Sequence, residues 1–247
     1  MSPKKFLRFL RHAPTMLHEL RQLKAQARTS SHVFPISKLN PYPHEKRQQS
    51  GTARGHYFHQ DLLVARRIFE NKPEKHVDVG SRVDGFVAHV AAFRPIEVLD
   101  IRPLDSKVKN IEFRQANLMS PPPEMIGYCD SLSCLHAIEH FGLGRYGDPI
   151  DFEGHLKGLS SLHAILKPGG TLYLSTPIGP QRIEFNAHRV FDVKYLLSLF
   201  DGRFNLRHFS YVDDRGDLHE NVDLSANALD DNFGCQYGCG IFELEKV

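Results

Sequence analysis

The feature that most limits the fold of this chain is a regular alternation, from about residue 56 onward, of short apolar runs with stretches of helical spacing. The pattern predicts strands near 76–80, 96–101, 111–115, 129–135 and 171–176, and helices near 57–71, 84–93, 152–167 and 192–201. Two further strands near 204–212 and 237–245 would bring the sheet to seven. Strands that alternate with helices form parallel pairs with the helices packed on both faces, so an α/β sheet is expected. Asp151 and Asp192 are placed to cap helix starts, and Pro168-Gly169-Gly170 to stop a helix before the next strand.

Ahead of this body the chain changes character. Residues 4–28 carry Phe6, Phe9, Leu10, Ala13, Leu17, Leu20 and Leu23 at helical spacing with a basic opposite face, and Pro14 is expected to split them into two helices. Residues 29–55 are polar, contain Pro35, Pro41 and Pro43, and hold no lasting period. Three parts follow: a basic amphipathic extension (1–28), an arm (29–55) and a body (56–247). Of 31 Lys and Arg, seven lie in residues 1–28 against the single acid Glu19, which leaves the body mildly acidic within a net charge of +2. That distribution disfavours nucleic acid as a partner. No 18-residue apolar run and no secretory leader is visible, so a cytoplasmic protein is expected. The basic extension could rest on anionic lipid as a peripheral contact, but packing on its own body or in a homodimer is favoured.

The tips of the first strands carry the binding signal. His76-Val77-Asp78-Val79-Gly80 ends a strand on an acid and a glycine, and Gly85 follows. Ligands of parallel α/β sheets collect at the carboxyl ends of strands, where glycine lets the backbone approach. Asp100 ends the next strand in Val98-Leu99-Asp100-Ile101, at the spacing of an acid that accepts ribose hydroxyls, and Gln115-Ala116-Asn117-Leu118 follows the third, where an adenine edge could be met. A tight turn alone would also explain Gly80, Gly85 and Asn117. A dinucleotide is disfavoured because Arg82 stands where the middle glycine of G-x-G-x-x-G is needed, and a Walker loop is excluded because Phe86-Val87 follows Gly85. A nucleoside ligand without phosphates needs fewer glycines.

With Asp78-Val79-Gly80, Asp100, Asn117-Leu118 and Leu166-Lys167-Pro168-Gly169-Gly170, residues 57–245 resemble the class I S-adenosylmethionine-dependent methyltransferases, a Rossmann-like seven-stranded family. The runs GLGRYGDPID and FNAHRVF resemble a sparsely characterised methyltransferase-like family associated with bacterial surface-glycan synthesis. The resemblance implies S-adenosyl-L-methionine as cofactor, held by Asp78, Gly80, Ser81, Gly85, Asp100, Ile101, Asn117, Leu118 and Leu135, and O-methylation of a glycan, lipid-linked sugar or small molecule. Arg82 and Asp84 depart from the family's glycine-rich loop.

Methyl transfer to a hydroxyl needs a base, and histidine suits that task near neutral pH. The candidates are His136 at the tip of the fourth strand, His188 after the fifth, and Glu139 with His140 beside them. His136 is preferred on position. Read differently, His136-Ala137-Ile138-Glu139-His140 is the H-x-x-E-H motif of zinc metallopeptidases, but Gly142 and Gly144 break the long helix this motif needs. Glu139 and His140 could equally cap a short helix and pair with Arg145, and His188 and Arg189 could be a solvated loop. Cys129, Cys134, Cys235 and Cys239 lack C-x-x-C spacing and are expected to be buried thiols, with no metal centre. The remaining alternative is a noncatalytic methyltransferase-like scaffold, whose mark would be Arg82 or Asp84 filling the cofactor pocket.

Overall fold

A computed structural model describes residues 3–40, 42 and 48–247 of the chain, so Pro41 and Pro43 lie outside the described residues. It divides into two compact units, Met1–Thr52 and Ala53–Val247. In the first unit, helix α1 (Pro3–Thr29) runs on through Pro14, contrary to the two helices expected. A proline forfeits one backbone hydrogen bond, but its fixed φ is itself helical, and here the helix tolerates the loss. From residue 30 to the end of this unit no described residue belongs to a helix or strand. None of the described helices is long and apolar enough to cross a membrane.

The second unit is the Rossmann-like α/β sheet. Helix α2 (His56–Asn71) precedes β1 (His76–Val79), and a one-turn π segment at Val83–Val87 leads into α3 (Ala88–Ala91). Then come β2 (Ile96–Asp100), β3 (Ile111–Gln115), β4 (Cys129–Leu135), α4 (Gly154–Ile165) and β5 (Leu166–Ile178). A small hairpin, β6 (Arg182–Glu184) and β7 (His188–Val190), precedes α5 (Val193–Phe200), β8 (Phe204–Val212), β9 (Leu218–His219), α6 (Ala226–Asp230) and β10 (Gly238–Lys246). The main sheet runs β3-β2-β1-β4-β5-β10-β8-β9. Pairs among β1 to β5 are parallel, while β10 lies antiparallel between β5 and β8. The seven expected strands all form, and β9 adds an eighth at the edge by pairing with Tyr211 and Val212.

Alternating side chains place helices on both faces. Val77, Leu99, Leu172 and Leu174 join α4 and α5 in one core, whereas Val98, Tyr173 and Ile241 join α2 and α3 in another. The helix expected at 84–93 shrinks to a π turn and a single α turn because Gly85 takes non-helical angles. A Cβ there would stand 2.8 Å from Oδ2 of Asp61, so only glycine lets α2 come this close. Asp192 caps α5 as expected by accepting from the Tyr195 amide at 3.1 Å. Asp151 does not cap α4, which starts later; its Oδ1 accepts from the Glu153 amide at 2.9 Å and its carboxylate pairs with Lys157.

Candidate active site

The strand order reverses between β1 and β4, and a cavity of about 750 Å³ opens at the carboxyl ends of these strands. Of the residues expected there, Gly80, Ser81, Asp100, Ile101, Asn117, Leu118, Leu135, His136, Glu139, His140 and His188 line it. Asp78 and Gly85 do not. The Asp78 carboxylate turns inward, fully buried, and accepts from the Ser81 amide and hydroxyl at 3.0 and 2.7 Å and from the Ser133 hydroxyl at 2.5 Å. Burial raises its pKa to about 6 against these hydrogen bonds. Asp78 therefore fastens the turn that presents Gly80 and Ser81. Gly80 holds φ 73°, and a Cβ on it would meet Ala137 at 2.9 Å.

At the tip of β2, Arg102 grips the Asp100 carboxylate at 3.0 Å through Nε and 2.6 Å through an Nη, and the Arg102 amide donates to Oδ1 at 2.8 Å. The guanidinium lies 4.4 Å from the centre of the Tyr146 ring. Arg82 and Asp84 bind each other at 2.7 Å with side chains 64% and 73% exposed, so they lie at the rim and do not fill the cavity. The structural mark of a blocked pocket is therefore not met at these two residues. Asn117 closes its own turn by accepting from the Met119 amide at 3.0 Å.

The chemical groups gather on the opposite wall. His136 follows β4 with φ 49°, its amide bonded to the Ser175 carbonyl at 3.0 Å. Its Nδ1 lies 2.9 Å from Oε1 of Glu139, and its Nε2 is buried with no hydrogen-bond partner. Burial disfavours charge on His136, but the neighbouring Cys239 and Glu139 outweigh it and push its pKa above the usual range. Burial also pushes Glu139 up, yet His136 holds it below the usual carboxylate range. His140 donates from Nδ1 to the Ala187 carbonyl at 2.7 Å, with its Nε2 3.6 Å from Oε1 of Glu139, and burial lowers its pKa. His188, on β7, has Nε2 3.4 Å from the Glu184 carboxylate and its ring 5.2 Å from that of Tyr237. Glu139 thus sits between two histidines. The long helix of a zinc metallopeptidase is absent, since Ile138–His140 is one 3-10 turn.

Two residues build the loop that closes this wall. The Asp148 carboxylate accepts from the amides of Gly142, Gly144 and Tyr146 at 2.8, 3.1 and 3.1 Å. Arg189, far from a solvated loop residue, is 4% exposed and donates to the carbonyls of Glu139, Phe141, Asp151 and Phe152 at 3.3, 2.6, 3.4 and 3.0 Å. Tyr57, Arg102, Tyr146 and Tyr237 also line the cavity and were not anticipated. Only Tyr146 carried a signal, as the aromatic inside the glycine-rich GLGRYGD run.

A model of the family described as "Caenorhabditis protein of unknown function, DUF268" matches residues 106–237. No curated protein matches the sequence. Among solved structures, the fold is similar to the [4+2]-cyclase SpnF, with 15% identity and a TM-score of 0.53 over 76% of this chain and 80% of that one. It is similar also to the 1,6-didemethyltoxoflavin-N1-methyltransferase of Burkholderia thailandensis with bound 1,6-didemethyltoxoflavin and S-adenosylhomocysteine: 13% identity, TM-score 0.54, over 76% and 78% of the two chains. A third is the N-methyltransferase NodS of Bradyrhizobium japonicum in complex with S-adenosylhomocysteine, at 10% identity and TM-score 0.51 over 84% and 93%. At these identities the likeness is one of fold.

Proposed function

The chain belongs to the DUF268 family, and from that premise and the geometry of the crevice we propose that it is an S-adenosylmethionine-dependent methyltransferase acting on a hydroxyl acceptor. One observation carries the reading: Asp100 at the tip of β2 and His136 at the tip of β4 line one cavity. The donor set fits the cofactor. Gly80 lines the cavity at the strand tip, Asp100 offers two acceptor oxygens for ribose hydroxyls, and Leu118 and Leu135 offer apolar walls. When bound, S-adenosylmethionine would supply an electrophilic methyl group for in-line displacement.

The protein's share is positioning and proton removal. A hydroxyl held against His136 gives its proton to the imidazole in its neutral form, while Glu139 fixes the ring by accepting from Nδ1. Arg189 and Asp148 hold the wall that carries Glu139 and His140 in place. Calorimetric titration with S-adenosylmethionine tests the reading: binding that Asp100→Ala weakens supports it, and no binding to the folded chain refutes it.

The Arg102 grip on Asp100 favours a second reading, a noncatalytic scaffold, because the ribose hydroxyls would need the same two oxygens. The two readings separate on whether Arg102 yields to the nucleoside in that titration. Glycan, lipid-linked sugar and small-molecule alcohols remain the acceptors to screen, by release of S-adenosylhomocysteine.

A further inference from the structure

Behind the His136 ring the fold assembles three metal-binding side chains from distant parts of the chain. His56 begins α2, His136 follows β4, and Cys239 is the second residue of β10. One ligand atom from each lies within 4.8 Å of the other two. Nδ1 of His136 is committed to Glu139, so Nε2 is the atom that this ring offers, and it is buried without a hydrogen-bond partner. The His136 side chain is 5% exposed. Cys239 is fully buried beside His136, and its thiol makes long contacts to Oε1 of Gln60 at 3.7 Å and the Gly240 carbonyl at 3.9 Å. The His56 ring stands 5.3 Å from that of His136, centroid to centroid.

We propose that His56, His136 and Cys239 form a binding site for a zinc-class divalent cation. Two imidazoles and a thiolate are borderline-soft donors suited to zinc or cobalt and unsuited to magnesium or calcium. Around a tetrahedral zinc, nitrogen and sulfur donors lie about 3.3–3.6 Å apart, so the three side chains need to close by at most about 1.5 Å. Glu139 already occupies the supporting position, a carboxylate on the far nitrogen of a ligating histidine. On binding, the Cys239 thiol releases its proton to solvent and the sulfur joins the metal as thiolate, so two anionic groups, Cys239 and Glu139, balance the divalent charge. Three protein ligands leave the fourth position to water.

The consequence for catalysis rests on the methyl-transfer reading. A metal on Nε2 occupies the lone pair that takes the acceptor's proton, so the loaded protein is the silent form and the metal-free protein the active one.

The experiment titrates the chelator-stripped full chain with cobalt(II) and follows sulfur-to-cobalt charge-transfer absorption. One equivalent per chain with that band is expected, with affinity at least about tenfold weaker in His56→Gln and the band lost in Cys239→Ser. Cys235→Ser, a buried thiol outside the cluster, should leave the band intact. His56→Gln, at a half-buried helix start, carries the test without touching the core. No band at stoichiometric cobalt, or the same band in Cys239→Ser, overturns the site. S-adenosylhomocysteine affinity, measured in parallel, separates the two ideas: cobalt binding without nucleoside binding removes the methyl-transfer reading and leaves the site standing. If one equivalent of zinc does not depress turnover, the silencing is wrong.

Discussion

Oε1 of Glu139 lies 2.9 Å from Nδ1 of His136, and this one contact decides which nitrogen of the histidine is left without a hydrogen-bond partner. A base held this way contributes by proton removal and not by holding the nucleoside. His136→Ala should lower turnover by about 10² to 10⁴-fold with S-adenosylhomocysteine affinity nearly unchanged. Glu139→Gln should give a smaller loss, since the ring remains but its tautomer is no longer fixed. Steady-state methylation and calorimetry check both halves. Near-normal turnover in His136→Ala together with loss in His188→Ala would move the role to β7.

Asp100 and Arg102 compete with the nucleoside for the same oxygens. Asp100→Ala should weaken S-adenosylmethionine binding by about 1–3 kcal/mol, the scale of hydrogen bonds to a charged group. Arg102→Ala should tighten it by about two- to fivefold, because an ion pair half open to solvent contributes less than about 1 kcal/mol. Calorimetry on the two variants reads opposite signs, and weaker binding in both would show that Arg102 contacts the ligand.

Arg189 joins four carbonyls from two separate stretches of the wall. Its truncation to alanine leaves several of them without a donor and should cost about 2–4 kcal/mol. Lysine cannot restore the fork, so Arg189→Lys should recover little. Thermal unfolding of the two variants measures this, and an unchanged midpoint in Arg189→Ala would show that water replaces the guanidinium.

Buried histidines set the acid limb of stability. Burial, assisted by nearby Arg94, lowers His76 to about 3, and burial with nearby Arg189 lowers His155 to about 4. Each therefore contributes stability that is complete above the ordinary histidine value and is lost as pH falls toward the folded value. Asp78 acts in the opposite sense, since its raised pKa favours the fold below the ordinary carboxylate value and the benefit is lost as pH rises through about 6. Two histidines outweigh one acid, so stability should fall between pH 6 and 4. His155→Gln should flatten that fall by up to about 1.4 kcal/mol per pH unit, measured by denaturant unfolding at several pH values.

The strand tips were legible because glycine and acid at a strand end are a local signal. Gly80 and Asp100 lie where that signal puts them. Asp78 shows its limit: Val77 and Val79 both point into the α4–α5 core, so the residue between them must point elsewhere, into the Ser81 and Ser133 hydroxyls. Arg189 was opaque because its partners are backbone carbonyls from far earlier in the chain, which no side-chain pattern announces. The cluster of His56, His136 and Cys239 was hidden for the same reason, since three strands and a helix must be in place before these residues meet. Pro14 misled in the other direction, marking a break where α1 continues.

The antiparallel strand β10, latest of the described strands in the chain, is an interior one. As the polypeptide leaves the ribosome, the five parallel strands can assemble first, but β5 and β8 then wait with open edges for a partner not yet made. Unpaired edges of apolar strands are sites of intermolecular pairing. The interval between synthesis of β8 and of β10 is therefore the vulnerable moment in this protein's life, when a chaperone has most to protect.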